Sequence, residues 1–206
     1  MEISTAAQWL NDVFGNYDYA ILSAMHALAE RAGTFFTPFM KAVSVTGNHG
    51  ALFIILAVLL ILIPKTRKQG ICMAGALIIG ALITNVFIKN WVARMRPYQT
   101  VLYYEWWRFV SAPAMREFSF PSGHTTAASA CLMTLWQLPR KRYWIAGFIY
   151  MLLMGMSRNY LMVHYPSDVL AAILIGIFAA FVSCTVVNKV YHNRREFDEK
   201  YMEKDT

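Results

Sequence analysis

Charge is scarce in this 206-residue chain: Asp, Glu, Lys and Arg together make up 15% of it. Soluble globular proteins carry about a quarter. Hydrophobic residues reach 57%, and mean hydropathy is +0.39. These values argue against a soluble domain and for a single integral-membrane domain over 1–206. Cysteine is scarce too. Cys72, Cys131 and Cys184 all lie inside apolar stretches with no metal-ligand spacing among them, so they read as small buried hydrophobes. The opening Met-Glu-Ile-Ser-Thr lacks a basic region followed by an apolar one, so no cleaved signal peptide is expected. No internal repeat or low-complexity stretch is present. The net charge of +7 does not call for nucleic acid, because the basic residues punctuate apolar runs as they do in membrane loops.

What the chain does have is apolar sequence in runs, at 51–63, 71–88, 125–138, 143–156 and 169–187. Some fall short of the roughly 20 residues that span a hydrocarbon core, so flanking polar residues must extend them to the interfaces. A weaker segment covers 17–45. Within it Ile21, Met25 and Leu28 recur at helical spacing beside Asp18, His26 and Glu30. That pattern predicts an amphipathic, interfacial N-terminal part over 1–33, with 34–45 completing a first span. The expected fold is all-α, a polytopic membrane protein built as a six-helix bundle.

Loop charges orient it. Lys65, Arg67 and Lys68, then Arg140, Lys141 and Arg142, then Lys189, Arg194 and Arg195 share one face by parity. The positive-inside rule assigns that face to the cytoplasm of a multi-pass plasma-membrane protein, together with the charged tail 189–206. The long loop 91–120 falls on the extracytoplasmic face. Its Tyr103, Tyr104, Trp106 and Trp107 read either as an interfacial belt or as the walls of a lipid entrance.

Three polar clusters converge on that extracytoplasmic face: Lys89 with Arg96-Pro97, Pro121-Ser122-Gly123-His124, and Ser157-Arg158 with His164 and Asp168. An ionisable group at a membrane helix costs on the order of 2–3 kcal/mol to place, so it tends to be functional or paired. Lys89 and Arg96 share one side if their helix continues past Asn90, and Pro97 then ends it. A guanidinium holds phosphate oxygens through paired hydrogen bonds, and a lysine supplies a point charge. Snorkelling explains any one such cation; three beside two histidines fit an anion site better. Ser122 and Gly123 open a helix, where free N–H groups and the dipole favour an anion. Gly123 permits close backbone approach, and Ser122 caps the helix or donates its hydroxyl. An ordinary Ser-Gly cap looks the same, but it does not require His124.

His164 and Asp168 flank Pro166, which sets His164 just before the last helix and Asp168 in its first turn. A carboxylate on one ring nitrogen fixes the tautomer and frees the other nitrogen, leaving a neutral imidazole competent to attack phosphorus. The same pair can share a metal ion, but Lys89, Arg96 and Arg158 would repel a divalent cation. Arg94 reads as a solvated loop arginine or as a ligand for a second phosphate.

KNWVARMRP, PSGH and SRNYLMVHYPSD, in this order, resemble the three signature motifs of the type 2 phosphatidic-acid phosphatase superfamily. The resemblance implies roles. His164 would be the nucleophile that forms a phosphohistidine, Asp168 its orienting carboxylate, and His124 the acid and then the base. Lys89, Arg96, Ser122, Gly123 and Arg158 would bind the phosphoryl oxygens, with no metal or other cofactor. It also implies a lipid phosphate or diphosphate substrate, most like the undecaprenyl diphosphate of bacterial cell-wall recycling. Phosphatidylglycerophosphate and phosphatidate are the alternatives. A binder or flippase without turnover is the reading from another class, and the intact His124, His164 and Asp168 set speaks against it.

Overall fold

The computed structural model describes residues 4–136 and 141–202, which are helical and loop throughout, with no strand among them. Arg140, residues 137–138 of the expected fourth segment, and the chain ends 1–3 and 203–206 lie outside the described residues. Helix α1, Thr5–Thr46, starts where the Ser4 hydroxyl accepts a hydrogen bond from the Ala7 N–H at 3.0 Å, the ordinary N-cap arrangement. It bends at Ala32, whose φ of −141° leaves the helical region next to the boundary expected at 33. A tight turn, Asn48–Gly50, follows, with His49 and Gly50 both at positive φ. Helix α2 is Ala51–Leu62.

Helix α3, Arg67–Ala81, runs on through a π-helical stretch, Leu82–Ile88, into a last α turn, Lys89–Val92. Each four-residue step in an α-helix over-rotates by about 40°. The wider π turn takes part of that back, so Leu77, Ala81, Asn85 and Lys89 all face one cavity. Ala93, left-handed at φ 50°, ends the helix. Arg96 therefore returns to the side of Lys89 on extended backbone (φ −78°, ψ 155°), and the helical continuation expected past Asn90 reaches only Val92.

The stretch 91–120 is not one long loop. It contains helix α4, Val101–Val110, on which Tyr103, Trp106, Trp107 and Val110 stand at helical spacing. Their rings pack inward: Trp107 stacks on Tyr98 at 4.9 Å, Trp106 on His26 of α1 at 4.8 Å, and Tyr103 meets Tyr165 edge-on at 6.0 Å. Tyr103 is buried, Trp106 and Trp107 are half-buried, and Tyr104 is exposed.

Helix α5, Gly123–Leu135, packs against α3, α6 (Lys141–Tyr160) and α7 (Pro166–Met202). Small residues bring these backbones together, as membrane helices require when lipid is as apolar as any side chain. Outward faces carry Ile55, Leu59, Phe87, Leu174, Phe178 and Phe181, each more than half exposed. Among the described residues, two stretches, Pro64–Gln99 and Pro166–Asn193, are long and apolar enough to cross a membrane. The pair Thr5–Thr46 and Asn48–Leu62, bent by 43°, adds a third if it forms one span.

The closest helix contact is testable. A Cβ at Gly176 of α7 would lie 1.9 Å from the Ser129 hydroxyl and 2.8 Å from the Ala130 backbone nitrogen of α5. Gly176→Ala should therefore lose roughly 1–3 kcal/mol by overpacking, more than the about 1 kcal/mol that helix propensity returns. A lowered thermal midpoint in detergent is the expected result. An unchanged or raised midpoint would contradict this packing.

Candidate active site

A cavity of about 440 Å³ opens between α3, α5, α6 and the turn after α1. Lys89, Arg96, Arg158, His124, His164 and Gly123 line its polar end, so the three sequence clusters meet in one place. The other end is lined by Ile54, Ala76, Leu77, Gly80, Ala127 and Ala130. Along α3 and α5 the lining thus passes from charged residues near Lys89 and His124 to small apolar ones near Ala76 and Ala130.

The cations differ in what they hold. Arg96 donates from Nε to the Glu117 carbonyl at 2.7 Å, from Nη1 to the Val163 carbonyl at 2.7 Å, and from Nη2 to the Phe118 carbonyl at 3.2 Å. Its Nη1 also lies 3.2 Å from His164 Nε2. Lys89 Nζ is taken by the Glu117 carboxylate and by Asn85 Oδ1 at 3.3 Å. Arg158 makes one side-chain bond, to the Ser44 hydroxyl, and its buried Nε and Nη2 have no partner. Unsatisfied buried donors are costly. A guanidinium with free N–H groups in a cavity wall is the strongest local sign that an anion belongs there.

His164 sits between α6 and α7, 2% exposed. Arginine can only donate, so the Arg96 contact assigns Nε2 as the acceptor and places the ring proton on Nδ1. Burial first, then the charges of Arg96, Arg158, Lys89 and His124, push its pKa well below the usual imidazole value. The ring is therefore neutral at neutral pH, with its Nε2 lone pair engaged by the Arg96 N–H.

The expected Asp168–His164 hydrogen bond is not formed. Asp168 Oδ2 stands 3.6 Å from Nδ1, beyond bonding distance. That oxygen is occupied by the Ser119 hydroxyl and the Tyr165 N–H. Asp168 thus lies behind the imidazole as a charge, anchored by other donors. Ser122 also stands behind the cavity. Its hydroxyl accepts from Thr125 at 3.1 Å without forming a side-chain cap bond, and its backbone N–H reaches toward the Asp168 carbonyl at 3.4 Å. Gly123 and His124 carry the helix start into the cavity. His124 Nε2 lies 3.1 Å from Asn48 Oδ1 in the turn after α1.

Arg94 contradicts both expectations for it. It is 1% exposed, holds Asp18, Asn11, Ser167 and Asp168, and does not line the cavity. Sequence reasoning also missed Glu117, Asn85, Asn48 and Ser44 as site neighbours. The glycine-flanked Gly47-Asn48-His49-Gly50 is a turn signal that could have pointed to Asn48; Glu117 and Ser44 carry no local signal. Among the described residues, no group of three His, Cys, Asp or Glu side chains could hold a metal ion.

The sequence profile of the PAP2 superfamily matches residues 69–192, which contain all three clusters. An undecaprenyl-diphosphatase of Sulfolobus acidocaldarius is 33% identical over 128 residues, covering 62% of this chain; the chain spans about 60% of that relative's length. A decaprenylphosphoryl-5-phosphoribose phosphatase of Mycobacterium tuberculosis is 30% identical over 163 residues, 76% of this chain and 82% of its own length. The crystal structure of a transmembrane PAP2-type phosphatidylglycerolphosphate phosphatase from Bacillus subtilis superposes with a TM-score of 0.67 at 24% identity, covering 95% of this chain and 92% of that one. This last likeness speaks to the fold.

The Glu117 carboxylate occupies an oxygen position beside Lys89 that an incoming anion would need. The Lys89 hydrogen bond holds the Glu117 pKa below its usual range. The pair is thus present throughout the neutral range and is lost only as pH falls through that lowered value. Glu117→Gln should bind inorganic phosphate about two- to fivefold more tightly, the range of a half-exposed ion pair. Calorimetric titration in detergent checks this, and weaker binding would assign Glu117 to the anion site itself.

Proposed function

The chain belongs to the PAP2 superfamily, in its membrane lipid phosphatase branch, and we propose that it hydrolyses undecaprenyl diphosphate to undecaprenyl phosphate without a metal. The single observation that carries this is the two-ended cavity. Its free guanidinium and neutral histidine suit a phosphoryl group, and its wall of small apolar residues suits the first carbons of a lipid chain. Both relatives are named for polyprenyl substrates, which favours a prenyl chain. The solved neighbour's name supports the second reading, a phosphatidylglycerophosphate or phosphatidate phosphatase.

In the proposed sequence, His164 Nε2 attacks phosphorus as the bond to the leaving phosphate or lipid oxygen breaks, and His124 gives that oxygen a proton. The second step reverses the roles. His124 takes a proton from water, the water oxygen bonds to phosphorus, and the P–N bond returns its electron pair to Nε2. Arg158, Lys89 and the helix start at Gly123 hold the phosphoryl oxygens where charge develops, the main source of catalysis in phosphoryl transfer. Lys89 exchanges Glu117 for substrate to do so. Arg96 orients the nucleophile until Nε2 turns to phosphorus, and the N–H released then passes to a phosphoryl oxygen. Ser122 contributes through the helix start it fixes, and Asp168 through its charge behind the ring. The site opens to the extracytoplasmic side, with the C-terminus in the cytoplasm and six helices crossing, as the loop charges direct.

Phosphate release in EDTA should occur with undecaprenyl diphosphate faster than with phosphatidylglycerophosphate or phosphatidate. His164→Ala should lower it by about a thousandfold or more, and His124→Ala by about a hundredfold or more. Full turnover by His164→Ala would remove the nucleophile from this account, and a preference for phosphatidylglycerophosphate would select the second reading. For orientation, a cysteine replacing Glu105 should react with a membrane-impermeant thiol reagent on intact cells, and one replacing Lys65 should not. The opposite labelling would turn the site to the cytoplasm.

A further inference from the structure

Behind Asp168 lies a charged cluster that none of the three motifs requires. Arg94 Nη1 donates to Asp168 Oδ1 at 2.6 Å and to the Ser167 hydroxyl at 2.7 Å, and its Nη2 donates to Asp18 Oδ2 at 2.8 Å. Its guanidinium carbon lies 3.9 Å from the centre of the Tyr165 ring. Asp18 comes from α1, outside the region matched by the family profile, and is itself 1% exposed. It also accepts from the Ser167 N–H at 2.8 Å and hydroxyl at 2.7 Å, which ties the first turn of α7 to α1.

A guanidinium facing Asp168 alone would neutralise it, and His164 would then sit among cations with no net negative charge behind it. Two carboxylates sharing one guanidinium leave one net negative charge. We propose that Asp18 and Arg94 are positioning residues for His164, acting through Asp168: Arg94 fixes the carboxylate, and Asp18 preserves its charge. That charge opposes the positive imidazole that forms when Nε2 bonds to phosphorus and the leaving oxygen departs. The proposal rests on His164 being the nucleophile.

The groups facing His164 are Lys89 from the last turn continuing α3, Arg96 from the extended segment beyond it, His124 from α5, Arg158 from α6 and Asp168 from α7. Arg94, Asp18 and Tyr165 stand behind Asp168, and Glu117 pairs with Lys89. The acid limb of kcat/KM reports protonation of this imidazole in the free enzyme. Asp18→Asn removes a negative charge, disfavours the imidazolium, and should move that limb to lower pH by on the order of one unit. It should also lower kcat about tenfold, the equivalent of one pKa unit, with KM unchanged within about twofold. Asn11, exposed on α1, accepts from Arg94 Nε at 2.9 Å. Asn11→Asp adds a negative charge there and should move the limb the other way, to higher pH and by less.

The measurement is the pH profile of phosphate release from farnesyl diphosphate by the full chain in detergent, with size-exclusion profiles confirming folded variants. Opposite displacements in the two variants support the assignment. Limbs that stay in place, or move together, overturn it and leave the cluster a purely structural brace. If Asp18→Asn does not fold, the surface variant Asn11→Asp decides alone. Activity retained in His164→Ala would instead sink the nucleophile assignment, so the two failures are distinguishable.

Discussion

Arg96 ties together segments that the chain order keeps apart. Four of the five N–H groups of its guanidinium are engaged, three of them with carbonyls in the loop before α5 and in the loop between α6 and α7. Those carbonyls belong to no helix and would otherwise need water. With them held, Glu117 is set beside Lys89 and His164 is set with Nε2 toward the cavity. The loop before α5 and the entry to α7 are both held by this one planar group. A lysine could match its charge but not its fork of donors.

The legible part of the fold is the part written in local pattern. Apolar runs fall on helices, and the three polar clusters fall at helix ends, because both depend on residues close in sequence. The helix carrying Tyr103, Trp106, Trp107 and Val110 was also written there, in its three- and four-residue spacing, but the flanking Pro97 and the aromatic content suggest a loop at first reading. Lys89 and Arg96 reach the same cavity by a different route from the one their spacing implies, because Ala93 turns left-handed between them. The right pair was legible, and the wrong geometry brought it together.

What was not legible is pairing at a distance. Arg94 with Asp18, Arg158 with Ser44, and His124 with Asn48 join residues 76, 114 and 76 positions apart. A sequence lists the charges but does not say which are neutralised, and that decides which cation is free for a ligand. Arg94 illustrates the point. It lies two residues from a site arginine, yet its partners make it part of the scaffold. Arg158, embedded in a hydrophobic helix, keeps two buried nitrogens without a protein partner.

Those donors carry a cost. A guanidinium that is 1% exposed, with two nitrogens that meet no protein partner, is charge taken out of water with little protein bonding in return. The fold and the ligand are thereby linked, since filling the cavity completes bonding that folding leaves unfinished. Selection for tighter packing alone would erase this arginine, and selection for chemistry keeps it. The residue at the end of α6 thus marks a place where stability and activity pull on one position in opposite directions.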